Sequence, residues 1–251
     1  MAFEAQRAHS FGFNAKHAVQ FYEDDAFLQR TVAEYLAAGL RVGQPAVVIA
    51  TEAHRAGFSD ELRLRGLDPD TLVREERLTF LDARRTLSTL MVGAMPDPDR
   101  CAAEIDRVIT RVAQRSGTQA VRAYGEMVDL LWRGGNGHAA IALEELWNEA
   151  ADRHALTLLC AYAMPSFKAS DSESFHQICR THSHVFPAES FGAVRGEEAR
   201  NREIARLQQR AGALEAEIEQ RHQLEASLRE KTAELDHLRS LFDEAWRADA
   251  H

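Results

Sequence analysis

Short apolar runs alternate with helical patterns along the first 194 residues or so of the chain. Five of these runs predict β-strands: His17 to Tyr22, Pro45 to Ala50, Leu78 to Asp82, Ala120 to Tyr124 and Leu156 to Tyr162. Two of them contain the strings AVVIA and LTLLCAY, which are nearly continuous apolar runs, as is typical of strands covered by helices on both faces. The alternation therefore predicts an α/β fold, with three layers around a mostly parallel sheet.

Polar caps mark where the intervening helices begin. Asp24 or Asp25 can cap a helix that runs through Leu36. Residues 97–99 precede a second helix over about residues 100–113. These helices supply the outer layers of the predicted fold.

The pattern changes near residue 195. The last 57 residues contain ten basic and thirteen acidic side chains and no proline, which predicts one long solvated helix. Apolar side chains recur along it at three-and-four spacing in two seams: Ile204, Leu207, Ala211, Leu214 and Ile218, then Leu228, Leu235, Leu238, Phe242 and Ala245. The spacing from Ile218 to Leu228 is not a multiple of seven, so a three-residue stammer separates the two registers.

This tail predicts a parallel homodimer through residues 198–246, because a second copy would cover the apolar stripe. The alternative is that the helix folds back on the α/β region as an antiparallel brace. We therefore expect an N-terminal extension over residues 1–13, an α/β domain over residues 14–194 and a coiled-coil helix over residues 195–251.

Composition narrows the class of protein. The chain has 251 residues, 45% hydrophobic and 27% charged, as in ordinary globular proteins. No window approaches the roughly 20 apolar residues of a membrane span, and the N-terminus lacks a secretory signal, so we expect a cytoplasmic protein with no membrane partner. The net charge of -9 disfavours direct contact with nucleic acid. Three cysteines without CxxC spacing indicate neither a disulfide framework nor a zinc knuckle.

A phosphate-binding loop is missing from the sequence. Neither GxxxxGK[ST] nor GxGxxG follows any predicted strand, and the GGNG string at residues 134–137 follows a helical segment instead. We therefore expect no ATPase activity and no catalytic residues. Glu126, just after a predicted strand, could be a general base or a metal-coordinating carboxylate. It could equally be a helix N-terminal carboxylate stabilised by free backbone amides.

Polar side chains on other strands predict a ligand pocket. His17, Tyr22, Glu126 and Cys160 are expected on neighbouring strands or just beyond their ends, facing one mostly apolar cavity that suits a small, weakly polar ligand. Each of them could also be a packed core residue.

A second cluster of possible ligands lies in the segment FHQICRTHSHVFP. On a helix, His176, Cys179 and His182 would share roughly one face, and His184 follows closely. Imidazole and thiolate can bind zinc or haem iron, although the cluster could also be a cationic helix terminus. These four residues are weak candidates, and we assign no metal site and no particular cofactor.

Four longer strings carry more specific information than their periodicity: HAVQFYEDDAFLQRTVAEYLAAGLRVGQPAVVIAT, AVRAYGEMVDLLWRGGNGHAAIALEELWNE, LLCAYAM and FHQICRTHSHVFPAE, which together span about residues 14–190. In this order they resemble one known family, the MEDS sensory domain of methanogen and methylotroph proteins and of a dichloromethane regulator. The resemblance implies a fold similar to the clock ATPase and recombinase core without its phosphate loop. It also implies an intracellular input module that acts with histidine kinases or other signalling modules and senses small molecules such as hydrocarbon derivatives.

The resemblance also indicates which positions carry the family's motifs: His17, Phe21, Tyr22, Glu126, Glu144, Trp147, Asn148, Cys160, Tyr162 and His182. Among them, we expect the ligand-binding residues to be His17, Phe21, Tyr22, Glu126, Trp147, Cys160 and Tyr162. The sequence shows no kinase motif and no helix-turn-helix after the α/β region, so output is expected through a signalling partner or a further domain.

The leading hypothesis is a dimeric sensor, not an enzyme, that binds a small molecule in the α/β domain and relays the signal through the coiled coil. Two alternatives stay open. One is a nucleotide- or metal-dependent enzyme of the same fold that uses Glu126. The other is an assembly adaptor without a ligand.

Overall fold

Six parallel strands form one sheet in the order β3-β2-β6-β7-β1-β8. The structure, a computed structural model, describes residues 15–118, 120–192 and 197–249. The strands are β1 (His17–Tyr22), β2 (Ala46–Ala50), β3 (Leu78–Asp82), β4 (Met91–Val92), β5 (Met95–Pro96), β6 (Val121–Gly125), β7 (Leu156–Ala163) and β8 (His184–Phe186). The short strands β4 and β5 pair separately as an antiparallel hairpin.

Helices connect the strands and cover the sheet. They are α1 (Asp25–Arg41), α2 (Glu52–Leu64), α3 (Pro69–Arg74), α4 (Ala83–Leu90), α5 (Pro98–Ser116), α6 (Met127–Arg133), α7 (Gly137–Arg153), α8 (Ser172–Thr181), α9 (Glu189–Gly192) and α10 (Glu197–Asp249). Asp24 and Asp97 cap α1 and α5 through their carboxylates, as the sequence pattern indicates. The predicted α/β class and the long C-terminal helix are confirmed.

Apolar side chains pack on both faces of the sheet. On one face, Val19, Cys160 and Tyr162 pack in a core that includes buried residues of α4 to α8. On the other face, Ala18 and Tyr22 share a core with buried residues of α1, α2 and α3. Successive residues of a strand point to opposite faces, so β1 contributes alternately to both cores. This burial on both faces explains why β2 and β7 have almost uninterrupted apolar sequences.

The described chain divides into two compact units, the α/β unit ending at Gly192 and a second unit that contains α10. The expected N-terminal extension, residues 1–13, lies outside the described residues, as does the expected boundary near residue 194. The backbone of α10 is helical throughout the range of both predicted seams. Most apolar seam residues whose side chains are described are between 42% and 68% exposed: Ile204, Leu207, Leu214, Ile218, Leu228 and Leu235.

Only the backbone is described for the end of the second seam, which contains Leu238, Phe242 and Ala245. None of the described helices is long and apolar enough to span a bilayer.

Candidate functional site

An open cleft lies where the connections of the parallel sheet diverge. The chain leaves β2 toward the neighbouring edge strand β3, whereas it leaves β6 in the opposite direction, toward β7. The helices that follow these strands, α2 and α6, therefore pack on opposite faces of the sheet. Such a switch point opens a crevice beyond the carboxyl ends of two adjacent strands, which is where open α/β sheets bind ligands.

The crevice has a volume of about 570 Å³. Its walls carry four carboxylates, two guanidinium groups and one imidazole: Asp25, Glu52, Glu126 and Asp129, Arg84 and Arg133, and His54. These seven charged or ionisable side chains are more than the few polar groups that we expect from the sequence. The physical reason is that the lining residues belong to the connections and helices that follow β1, β2, β3 and β6, and not to the apolar strands themselves.

Glu126 lies at the base of this cleft and is only 3% exposed. Its carboxylate accepts hydrogen bonds from the Thr51 backbone N–H and from His54 Nδ1. It occupies the N-cap position of α6, but its side chain makes no capping hydrogen bond to that helix. The carboxylate therefore joins the β2–α2 connection to the end of β6, and it is not stabilised by the amides of its own helix.

His54 is held between two carboxylates. Besides the contact with Glu126, its Nε2 lies 3.5 Å from Asp25 Oδ1. Burial lowers the pKa of His54, but the hydrogen bond and charge of Glu126, together with the charge of Asp25, outweigh burial, so its pKa is raised. His54 can therefore carry a proton, and thus a positive charge, beside the base of the cleft.

Tyr22 approaches the same cleft from β1. Its hydroxyl lies 3.5 Å from Asp129 Oδ2, and Asp129 Oδ1 accepts a hydrogen bond of 3.0 Å from the Ala163 N–H. Burial raises the pKa of Asp129 more than the Ala163 amide and Arg133 lower it. Burial also raises the pKa of Tyr22, and the charge of Asp129 adds to this effect.

A second polar assembly is enclosed within the α/β unit, on the face of the sheet covered by α7 and α8. His17 Nε2 lies 3.3 Å from Cys160 Sγ and 3.2 Å from Glu144 Oε2. His182 Nε2 lies 3.4 Å from the same Glu144 oxygen. The side chains of the two histidines and Glu144 are at most 2% exposed, and Cys160 is fully buried. We call His17, Glu144, Cys160 and His182 the buried quartet.

Hydrogen bonds around the buried quartet fix its orientation. Tyr162 donates its hydroxyl to Glu144 Oε1 at 2.9 Å. His182 Nδ1 lies 2.7 Å from the Ile178 carbonyl oxygen, and His17 Nδ1 lies 2.9 Å from Asn148 Oδ1. Each of the four quartet side chains comes from a different part of the fold: β1, α7, β7 and the residue that ends α8.

Burial and charge oppose each other in this assembly. Burial raises the pKa of Glu144, but the charges and hydrogen bonds of His182 and His17 lower it further than burial raises it. Burial lowers the pKa of His182, yet attraction to Glu144 is stronger and the pKa is raised. Burial raises the pKa of the Cys160 thiol well above its ordinary value, and the Glu144 charge adds to this. A high thiol pKa and complete burial disfavour Cys160 as a nucleophile.

Aromatic rings pack beside the buried quartet. Phe21 lies with its ring centroid 4.8 Å from that of Phe175 and 6.2 Å from that of Tyr162. Phe167 is 4.5 Å from Trp132 and 5.9 Å from Tyr162. These rings shield the phenol that holds Glu144, so Phe21 is a packing residue of this face and does not line the polar cleft.

The residues predicted to face one cavity are divided between two places. Glu126 lines the cleft and Tyr22 lies next to it, whereas His17 and Cys160 belong to the buried quartet. Trp147 lies elsewhere, at a small apolar cavity of about 10 Å³ beneath α5. The single-cavity expectation is therefore corrected: alternate residues of β1 point to opposite faces, which separates His17 from Tyr22.

The four metal-ligand candidates in the segment FHQICRTHSHVFP, to which no metal site was assigned, are also not brought together. Helix α8 ends at Thr181 and His182 adopts an extended backbone conformation, so the three-residue spacing no longer keeps the side chains on one helical face. His176 and His184 are exposed and Cys179 is half-buried. Among the described residues, the group of His, Cys, Asp and Glu side chains that could hold a metal ion is the buried quartet, whose four donor atoms all lie within 4.8 Å of one another.

Sequence reasoning missed His54, and it assigned Glu144 and Asn148 to no site although the family resemblance named both as motif positions. His54 lies four residues after the end of β2, and its position beyond a strand end is the signal that could have placed it in the cleft. Glu144 and Asn148 are four residues apart, so they share one face of α7.

Comparison with known proteins identifies the family. A search among curated proteins returns no match to the chain. The model of the MEDS family, described as the methanogen/methylotroph, DcmR sensory domain, matches residues 16–183 and so spans β1 to α8, including every residue of the buried quartet. The match confirms the resemblance seen in the sequence and supports a sensory role. The chain belongs to the MEDS family of sensory domains.

Proposed function

We propose that the α/β unit is a sensor that binds a small polar molecule in the cleft between the carboxyl ends of β2 and β6. The observation that carries this proposal is the buried contact of Glu126 with both Thr51 and His54 at the base of that cleft. Burying a carboxylate costs free energy unless the carboxylate is paired, and Glu126 is paired. A paired, buried carboxylate at the floor of an open crevice is typical of a binding site, where a few fixed polar groups orient the ligand.

The charges of the lining favour a particular class of ligand. Carboxylates from Asp25, Glu52 and Asp129 face the same cleft as the guanidinium groups of Arg84 and Arg133. A ligand that carries both positively and negatively charged hydrogen-bonding groups would match such a surface. A purely hydrocarbon ligand would instead leave these groups desolvated and unpaired.

The position of the cleft suggests how binding could change the protein. Glu126 already joins two connections whose helices pack on opposite faces of the sheet, α2 and α6. A ligand that competes for this contact, or strengthens it, would favour one arrangement of the two connections over another. Differential affinity of this kind is the thermodynamic basis of sensing.

In this proposal, residues 14–194 form the sensory domain and residues 195–251 form the relay. The exposed apolar side chains of α10 support a parallel homodimer, because pairing would remove them from water. The dimeric helix would then present the change of state to a signalling partner. The protein acts as a binding module and does not turn over a substrate.

The experiment compares wild-type protein with Glu126→Gln after parallel purification from the same host cells. Native mass spectrometry should show an additional small mass on the wild type and a lower occupancy on the variant. The affinity should fall at least about tenfold, because a buried charged contact of about 1.5–3 kcal/mol is lost. Glu104→Gln, on α5 and outside the cleft, should retain the wild-type occupancy.

Two results would contradict the proposal. One is equal occupancy of the bound mass in wild type and Glu126→Gln, with both proteins folded by circular dichroism. The other is the absence of any retained or exchangeable small molecule when the wild type is incubated with a deproteinised extract of its host and analysed again.

A further inference from the structure

We propose that the buried quartet is a closed, four-coordinate Zn²⁺ site, formed by His17, Glu144, Cys160 and His182. This site is separate from the cleft of the proposed sensory function. The observation that supports the proposal is that four donor atoms, from four different parts of the fold, lie close together inside the α/β unit.

The distances between donor atoms match tetrahedral coordination. Zinc bonds of about 2.0–2.3 Å to nitrogen, oxygen and sulfur place neighbouring donor atoms roughly 3.3–3.8 Å apart. His17 Nε2 lies 3.2 Å from Glu144 Oε2 and 3.3 Å from Cys160 Sγ. His182 Nε2 lies 3.4 Å from Glu144 Oε2, and no pair within the quartet is more than 4.8 Å apart.

The outer hydrogen bonds indicate that both imidazoles direct electron pairs inward. The Ile178 carbonyl can only accept, so His182 Nδ1 carries a hydrogen and donates it. Neutral His182 then presents the lone pair of Nε2 to Glu144 Oε2, which is itself an acceptor.

The same reasoning applies to His17. Asn148 Nδ2 donates to the Thr181 carbonyl at 2.9 Å, which orients the amide so that Asn148 Oδ1 faces His17 Nδ1. His17 Nδ1 is therefore the donor and its Nε2 lone pair points toward Glu144 and Cys160. With both imidazoles neutral, three electron-pair donors and a sulfur atom face one another. A metal ion at their centre would take the place of the proton that His182 otherwise carries toward Glu144.

Two buried polar atoms without a hydrogen-bond partner lie within the buried quartet. Among the described residues, only three buried side-chain nitrogen or oxygen atoms have no partner in hydrogen-bond geometry, and two of them are Glu144 Oε2 and His182 Nε2. Buried polar atoms are rarely left without a partner, since each such atom costs about 1–3 kcal/mol. One bound cation would satisfy both atoms.

The donor set selects the metal. Two imidazoles, one thiolate and one carboxylate suit Zn²⁺, whereas Ca²⁺ and Mg²⁺ prefer oxygen ligands. Binding requires the thiolate, so the Cys160 thiol proton is released to solvent as the sulfur–zinc bond forms, with no change of oxidation state. Four protein ligands leave no open position for substrate, so the ion is structural and joins β1, α7, β7 and the end of α8.

The surroundings also have the form of a metal site. Metal-bound histidines usually donate their second N–H to a carbonyl or carboxylate, as His182 and His17 do here. Tyr162 donates a hydrogen bond to Glu144 Oε1, the oxygen that does not face the histidines, and so orients the Glu144 carboxylate. Asn148 and Tyr162 are therefore positioning residues for the metal ligands.

The first test measures metal in untagged full-length protein. We expect about one zinc per chain by plasma mass spectrometry, and replacement by Co²⁺ should give the visible bands of tetrahedral cobalt and a thiolate-to-cobalt charge-transfer band. Cys160→Ser should lose the charge-transfer band. Cys101→Ser, which changes another buried thiol in α5, should keep it.

A milder pair of variants guards against loss of folding. Tyr162→Phe removes only the hydroxyl that orients Glu144 and should weaken zinc affinity about 10–100-fold, measured by competition with a chromophoric chelator. Tyr22→Phe removes a buried hydroxyl near Asp129, outside the quartet, and should leave the affinity unchanged.

Three results would overturn the proposal. The first is wild-type protein that binds neither zinc nor cobalt after purification and reloading. The second is a charge-transfer band that survives in folded Cys160→Ser. The third is loss of the metal from a His176→Ala and His184→Ala double variant, which would indicate binding by exposed histidines. If Cys160→Ser does not fold, X-ray absorption of the zinc-loaded wild type shows whether sulfur is among the zinc ligands. One sulfur and three nitrogen or oxygen neighbours would support the site, and a shell without sulfur would exclude it.

Discussion

Glu126 and Glu144 are both buried carboxylates, and the partners around each give it a different role. Glu126 binds one backbone amide and one histidine at the floor of an open cleft. Glu144 is fully buried between two histidines and a tyrosine, remote from solvent. Removing one partner from a buried charge is costly because the remaining charge is left desolvated. Substitutions at the two positions should therefore affect different properties, ligand occupancy for Glu126 and metal content for Glu144.

The histidine beside Glu126 makes stability depend on pH. The pKa of His54 is raised in the folded protein, so its protonated form stabilises the fold fully below the unfolded-state pKa of about 6.5. That contribution is lost as the pH rises through the raised, folded-state value. His54→Gln should accordingly lower the free energy of unfolding by about 1.5–3 kcal/mol near pH 6 and by less at alkaline pH, as measured by urea denaturation across a pH series.

His138→Gln provides the control, because His138 is exposed at the start of α7 and forms no part of the cleft. Its difference from wild type should stay small at every pH. A His54→Gln difference that is constant across the series, or that grows as pH rises, would show that the imidazolium form is not what stabilises the fold.

At the scale of elements, the β2–α2 connection determines which ligands the switch point can accept. Phosphate-binding loops use glycines and free backbone amides at this position. Here the connection reduces to Thr51, with no glycine, and the Thr51 amide is already bound by Glu126. A phosphate group would meet a carboxylate where it needs a donor.

We therefore expect no saturable ATP binding in calorimetry up to about millimolar nucleotide, a limit that corresponds to less than about 4 kcal/mol of binding free energy. The measurement should be made with magnesium present and repeated on Glu126→Gln, which removes the repelling charge. Micromolar binding to wild type that is abolished in Glu126→Gln would instead favour the nucleotide-dependent enzyme.

The main strands could be predicted from the sequence because burial on both faces produces apolar runs. The expected bounds of β1 and β3 agree with the structure, those of β2 and β7 differ by one residue at one end, and those of β6 are shifted by one residue at both ends. Strand β8 was missed because its three residues lie at the sheet edge and are at least partly exposed, so they form no apolar run. The hairpin of β4 and β5 was missed because each strand has only two residues.

The sites were less predictable than the strands because their contacts are remote in sequence. His17 and Cys160 are 143 positions apart, and His54 and Glu126 are 72 apart. Residue type and family resemblance identified several of these residues individually. Their division between the cleft and the buried quartet depends on strand order and on which face each side chain takes, which local patterns do not specify.

At the scale of the whole molecule, the exposed apolar side chains of α10 predict self-association. Full-length protein should be a dimer at micromolar concentration by multi-angle light scattering, and truncation after Val194 should give a monomer. Ile218→Glu should weaken the dimer by about 100-fold, because each chain would place an unpaired charge in the seam.

Glu217→Gln, beside the seam on the same helix, is the matched control and should remain dimeric. A monomeric full-length protein at micromolar concentration would refute the dimer. A dimer that persists after truncation would place the interface in the α/β unit.

The position of β1 between β7 and β8 has a consequence for how the chain is made. Although β1 is the first strand synthesised, its only sheet neighbours are β7 and β8, and Cys160 lies 143 positions after His17. At a translation rate of about 5–20 residues per second, β1 waits roughly 10–30 s for its partners to leave the ribosome. During that time its apolar residues and both hydrogen-bonding edges are open to other chains, so we expect a nascent chain stalled before β7 to be prone to aggregate and to bind chaperones.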